Sequence, residues 1–273
     1  MKQVIGLAIP LVLAASVLAA SPLAPADAAA PACAGLPGHA DLKAALIAAT
    51  SAETSGLNNH MWATVVNRDG FVCAVAFSGT DRSSQWPGSR VISAQKASTA
   101  AAFNLDKGSS TNGSGQAAGL ALSTANLYSA VQPGGSLYGL QHSNPVDTAV
   151  AYQGPPSRYG AVNDPMVGRR VGGVNVFGGG LGLYDAGKKV IGGVGVSGDT
   201  SCADHNIAWR VRHALKLDFL AGVGGVSGDP QRPDNIVFDI TASPSGGPGS
   251  SAGGFGHPSC VNTSGSAALP AVQ

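Results

Sequence analysis

Asp199, Ser201 and Asp204 stand close together where a run of small residues, Lys189-Val-Ile-Gly-Gly-Val-Gly-Val-Ser-Gly-Asp-Thr-Ser-Cys-Ala-Asp204, passes from strand to helix. An acid three residues after Ser201 resembles a capping box, so a helix is predicted over 201–215 with free N–H groups at the strand's end. Such an end favours carboxylates and other anions. Asp204 is therefore either a helix cap or a proton carrier in acid-base chemistry. A second group lies on one predicted helix, where Ile92, Lys96, Thr99 and Phe103 recur at i, i+4, i+7 and i+11. Either Lys96 snorkels past a packed face or Lys96 and Thr99 look into a pocket. In the second case Lys96, Thr99 and Phe103, with the Ser197-Gly198-Asp199 turn, would form a ligand seat.

Histidine and cysteine chemistry is less patterned. His205, Trp209 and His213 share a helical stripe, but i to i+8 is about 12 Å, too far for one metal ion. A single histidine could still bind a haem iron axially, either His205 or His142 in the long middle segment. Cys202 and His205 give C-x-x-H without further ligands at similar spacing, so no metal site is assigned. Cys33, Cys73, Cys202 and Cys260 suggest two disulfides. Cys33–Cys73 and Cys202–Cys260 are favoured, because Cys33 and Cys260 lie in segments too poor in apolar residues to dock unaided. Gly193 to Gly198 matches G-x-G-x-x-G, yet these glycines lie inside the strand rather than after it, which argues against a dinucleotide fold.

The elements that must position these groups can be read in order. Residues 1–28 read as an export signal, with Lys2, an apolar run from Val4 to Ala19, and Ala26-Asp27-Ala28 as a cleavage site. The mature chain is expected outside the cytoplasm, periplasmic or secreted, without a membrane span. Charged residues are 11% of the chain and the net charge is +1, so no broad basic field exists to hold nucleic acid. Helices are predicted over 41–55, capped by Asp41 and stopped by Gly56, and over 91–103. A hairpin joins 61–67 to 71–77, and a second joins strand-like pieces in 171–184 to the small-residue strand. Between 104 and 170 the chain reads as loop, with one possible short helix around 117–130. A last strand is predicted at 235–240, and residues 241–273 read as a Gly/Ser/Pro-rich tail unable to fold alone. The class is α+β: a small antiparallel sheet of four or five strands flanked by helices, in a single domain over 29–240.

Two blocks together resemble the GlcG/HbpS haem-binding family, also called the haem-degrading domain family. Lys96-Ala97-Ser98-Thr99-Ala100-Ala101-Ala102-Phe103 fits its K-A-x-T-A-x-x-F helix. Gly187 through Ala208 fits its G-V-S-G-x-T-x-x-x-D run, here with Asp199, Thr200, Asp204 and Ala208. Residues 40–215 are covered. Val65-Val66-Asn67 and Phe77-Ser78-Gly79-Thr80-Asp81 depart from the family pattern, and the middle loop is longer. Neither block fixes the family's iron contacts, so no axial ligand carries over. The resemblance implies an oligomeric haem or tetrapyrrole binder, which in some family members works beside a sensor or receptor protein. Lys96 and the helix start would hold its propionates. The alternatives are an enzyme acting on haem or a small organic acid, with Asp204 or Asp199 as proton carrier, and an oligomeric interaction protein.

Overall fold

The computed structural model describes residues 33–108, 119–263 and 268–273. The predicted export signal lies outside them. Helix α1 (His39–Ser51) precedes the hairpin β1 (Trp62–Asn67) and β2 (Val72–Phe77), and α2 (Ser89–Phe103) follows. After two short helices, α3 (Leu140–Ser143) and α4 (Thr148–Ala151), come β3 (Gly180–Tyr184), β4 (Val190–Ser197) and α5 (Ser201–Ala214). The sheet order is β2-β1-β4-β3, antiparallel throughout.

Alternation along the strands sorts side chains into three layers. Ala63 and Val65 of β1 and Val194 and Val196 of β4 share one core with Leu42 and Leu46 of α1 and Ile207 and Val211 of α5. Trp62 and Val66 face the other way, onto Val91, Ala94 and Ala97 of α2. On that second face β4 presents Gly193 and Gly195. A Cβ at Gly195 would come within 2.0 Å of the Ser93 carbonyl oxygen, and one at Gly193 within 2.3 Å of that of Ala97. The bare main chain of β4 therefore exists to admit α2, and what packs there is protein.

Element boundaries differ from expectation where polar partners decide them. Gly38 rather than Asp41 is the residue before α1, and Asp41 sits in the first turn, where its charge faces the positive helix end. Thr200, not Ser201, caps α5, its hydroxyl accepting from the Ala203 amide. The stretch expected as helix over 117–130 holds two 3-10 turns, Thr124–Leu127 and Ser129–Val131; its first two residues lie outside the described ones. Of the predicted last strand, 235–240, only Ile240 lies in a strand, Ile240–Thr241, which pairs with Ser250–Ser251. The alternation of Ile236 and Phe238 instead puts Ile236 against Cys202 and leaves Phe238 partly exposed.

Irregular segments are tied down by ions and sulfur as well as by apolar contacts. Arg90 of α2 grips Asp164 with two nitrogens and the Ala151 carbonyl with a third contact. Arg212 of α5 does the same for Asp234. Disulfides join Cys33 to Cys73 and Cys202 to Cys260, the pairing favoured from sequence. The tail also returns to the core: Leu269 is buried with α1 and α5, and the Trp209 indole donates to the Pro270 carbonyl at 3.0 Å.

Candidate functional site

The turn between β4 and α5 organises two environments, one inside the molecule and one on its surface. Inside, Lys96 reaches across from α2 and donates to Asp204 at 2.6 Å and to the Val196 carbonyl at 3.0 Å, with the Phe177 ring 4.5 Å away. The other carboxylate oxygen of Asp204 accepts from the amides of Gly198 and Asp199, at 3.1 and 2.9 Å. Lys96 and Asp204 are 0% and 1% exposed. Burial holds the Lys96 ammonium below its usual pKa and pushes Asp204 up to about 6, while each partner pulls the other back toward its charged form.

This knot corrects two sequence readings. Lys96 neither snorkels nor faces a pocket, because Gly179 packs over it so closely that a Cβ there would lie 3.0 Å from its Nζ. No propionate can reach that ammonium. The capping-box reading of Asp204 also gives way, since its carboxylate serves two amides ahead of the cap residue and one lysine. Thr99 is likewise closed in, donating to the Gln95 carbonyl and accepting from the Asn175 amide. Phe103 packs sideways onto a cluster with Leu122 and Val176. Of the two histidines considered for iron, His205 is 0% exposed, with Nε2 at 3.2 Å from Asn235 Oδ1, and burial lowers its pKa to about 4. His142 lies exposed on short α3.

Asp199, itself buried, points from the same turn toward the loop 56–60 and acts as a clamp. Its carboxylate accepts from the amides of Leu57 and Asn59, each within 3.0 Å, and from that of Thr200 at 2.5 Å. Asn59 returns a side-chain bond to the Gly198 carbonyl at 3.0 Å. Gly56 and Gly198 make the approach possible: a Cβ at Gly56 would meet Asp199 Oδ1 at 2.2 Å, and one at Gly198 would meet the His60 carbonyl oxygen at 2.5 Å. The predicted Ser197-Gly198-Asp199 turn thus fixes the loop 56–60 from behind.

In front of that loop is a cleft of about 290 Å3, lined by Ile47 and Thr50 of α1 with Glu53, Asn58, Asn59, His60 and Ser78. The size falls at the small end of ligand sites, enough for part of a flat molecule. His60 is exposed; its Nδ1 stands 3.3 Å from Ser78 Oγ, and its Nε2 has no hydrogen-bond partner among the described residues. Ser78 is itself held by the Met61 amide, which donates to its hydroxyl at 2.9 Å. Ile47 is 42% exposed and the neighbouring Leu57 51%, apolar surface without a protein cover. Lys43, one turn before Ile47 on α1, carries its ammonium 5.1 Å from the centre of the Phe77 ring, next to Ser78. Burial raises the Glu53 carboxyl, but bonds from Ser55 and Arg210 outweigh it and hold the pKa below the usual value. The sequence reading did not single out His60; its one signal is its place directly before a buried strand, where a polar ring has to face out.

Three layers, with a four-stranded antiparallel sheet between α2 and the α1/α5 pair, define an α+β fold. The sequence profile of the haem degrading protein family, HbpS-like, matches residues 39–212, and the chain belongs to that family. Among solved structures it is similar to Klebsiella pneumoniae protein ORFY, at 26% identity over 65% of this chain and 87% of that one, with a TM-score of 0.40. It is similar also to a PduOC:haem complex, at 21% identity over 64% and 89%, with a TM-score of 0.41. A double mutant of Streptomyces reticuli HbpS matches at 16% identity over 77% and 99%, with a TM-score of 0.39. No curated protein matches the chain.

Proposed function

We propose that this protein binds haem, or a related tetrapyrrole, outside the cytoplasm, on the outer cleft rather than at the Lys96–Asp204 knot. Membership of the haem-degrading family over residues 39–212 is the observation that carries haem as the ligand. The cleft supplies what a haem needs from a protein: an accessible imidazole, uncovered aliphatic surface and a nearby cation. His60 would be the axial ligand through Nε2, with the Ser78 hydroxyl at Nδ1 holding the ring in orientation, as hydrogen bonds to the far nitrogen do for metal-binding imidazoles. Ile47 and Leu57 would lie against the ring, and Lys43 would take a propionate. When bound, the haem supplies a redox-active iron; the chain's own part is to hold and orient it.

Two disulfides support a place outside the cytoplasm, where such bonds persist. Among the described residues no helix is long and apolar enough to cross a membrane. Binding is preferred over catalysis because Asp204, the proposed proton carrier, is buried and spends its acceptors on Lys96 and two amides. Titration with haemin tests the reading: a shifted, saturable Soret band at one haem per chain is expected, and free-haemin spectra throughout would refute it.

A further inference from the structure

Beside the β4–α5 turn, the start of α5 gathers a third set of reactive side chains. The ligand atoms of Cys202, His257 and Cys260 all lie within 4.8 Å of one another. We infer that, when the Cys202–Cys260 disulfide is opened, these three residues form a binding site for a zinc-class divalent cation. Two thiolates and one imidazole are a ligand set that zinc accepts, with a fourth position left for water or for the Ser201 hydroxyl.

The imidazole is already set for the task. His257 is 2% exposed, and its Nδ1 is 2.7 Å from the Pro258 carbonyl, which can only accept, so Nδ1 carries the proton. The bare Nε2 then faces Ser201 Oγ at 3.1 Å, and that hydroxyl lies 3.5 Å from Cys260 Sγ. A backbone carbonyl on the far nitrogen is the usual support of a metal-bound histidine. The Cys202 amide, in the first turn of α5, donates to Cys260 Sγ at 3.2 Å, an environment that favours a thiolate on that sulfur. Two thiolates on one zinc stand about 3.8 Å apart, so the sulfurs must separate on opening. Cys260 can make that move because it sits on an irregular segment, whereas Cys202 is fixed in the helix.

The chemistry balances with a dithiol reductant. The S–S bond breaks, two electrons and two protons pass from the dithiol, which becomes a disulfide, and metal binding then releases both thiol protons. Disulfide and metal exclude each other, yet either one ties residues 257–260 to α5. The tail is thus anchored by sulfur chemistry in both redox states.

The test uses the full chain reduced with a metal-inert phosphine and titrated with Co2+ without oxygen. Expected are thiolate-to-cobalt charge-transfer absorption with a 1:1 endpoint, its displacement by Zn2+, and no such band in the oxidised protein. H257A, which keeps the disulfide and can be checked for folding when oxidised, should weaken Co2+ binding by more than about tenfold. No charge-transfer band in the reduced wild type, or unchanged affinity in H257A, would overturn the assignment. So would a reduced chain that loses its near-ultraviolet circular dichroism and regains none with Zn2+.

Discussion

The inner face of the β4–α5 turn and its outer face use the same few residues to opposite ends. Inward, Lys96 and Asp204 saturate one another and the surrounding amides, and both are buried. Outward, Asp199 saturates a loop's amides and by doing so leaves His60 with one ring nitrogen free. A charged residue at a conspicuous sequence position is thus a poor guide to a ligand when its partners lie inside the chain. Polar capacity left over after folding is the better one.

Breaking the inner knot should have the largest effect. K96A or D204A leaves a buried charge unpaired and should lower unfolding stability by about 3–5 kcal/mol in urea titration, with the K96M/D204L pair losing less than either single change. Wild-type stability after K96A would mean that the interior is open to water and the contrast is false. Acid should separate the two faces next. His205 has its pKa lowered to about 4 by burial, against 6.5 when unfolded, so the unfolded chain takes up the proton first. Its contribution, about 3 kcal/mol, is fully present above pH 6.5 and is lost as pH falls toward 4. Asp204, raised to about 6, acts in the opposite sense over the same range, and His257, lowered to about 4, in the same sense. The His205 share is therefore read as the difference between thermal midpoints of wild type and H205Q, which should widen as pH rises from 4 to 6.5.

Releasing the loop is a smaller perturbation. D199A removes the acceptor for Leu57, Asn59 and Thr200 and should cost about 1–3 kcal/mol, while weakening haem binding without touching the cleft wall. If haem affinity survives D199A intact, the loop is not what presents His60. H60A should leave stability within about 0.5 kcal/mol, since the side chain is exposed and its one bond is long.

What could be read without coordinates follows the same division. The helix-hairpin-helix-loop-hairpin-helix order was legible because β-branched alternation and Gly/Ala periodicity are local. Lys96 stood out as a cation on an apolar face, but its partner lies 108 residues away and nothing local names it. The glycines of β4 signalled close approach without saying what approached, and the answer was α2. Leu269 is one of a few scattered apolar residues in a tail rich in glycine, serine and proline, so its place in the core could not be inferred from composition. His60 sits in no pattern; only the loop's clamp onto Asp199, a contact over 140 residues, makes it a site.

The central assignment is tested most directly by haemin spectra of H60A and H142A recorded beside the wild type. A shifted Soret band in wild type and H142A that collapses to the free-haemin spectrum in folded H60A is the predicted result. A wild-type spectrum in H60A would contradict it and return the search for the iron ligand to the rest of the chain.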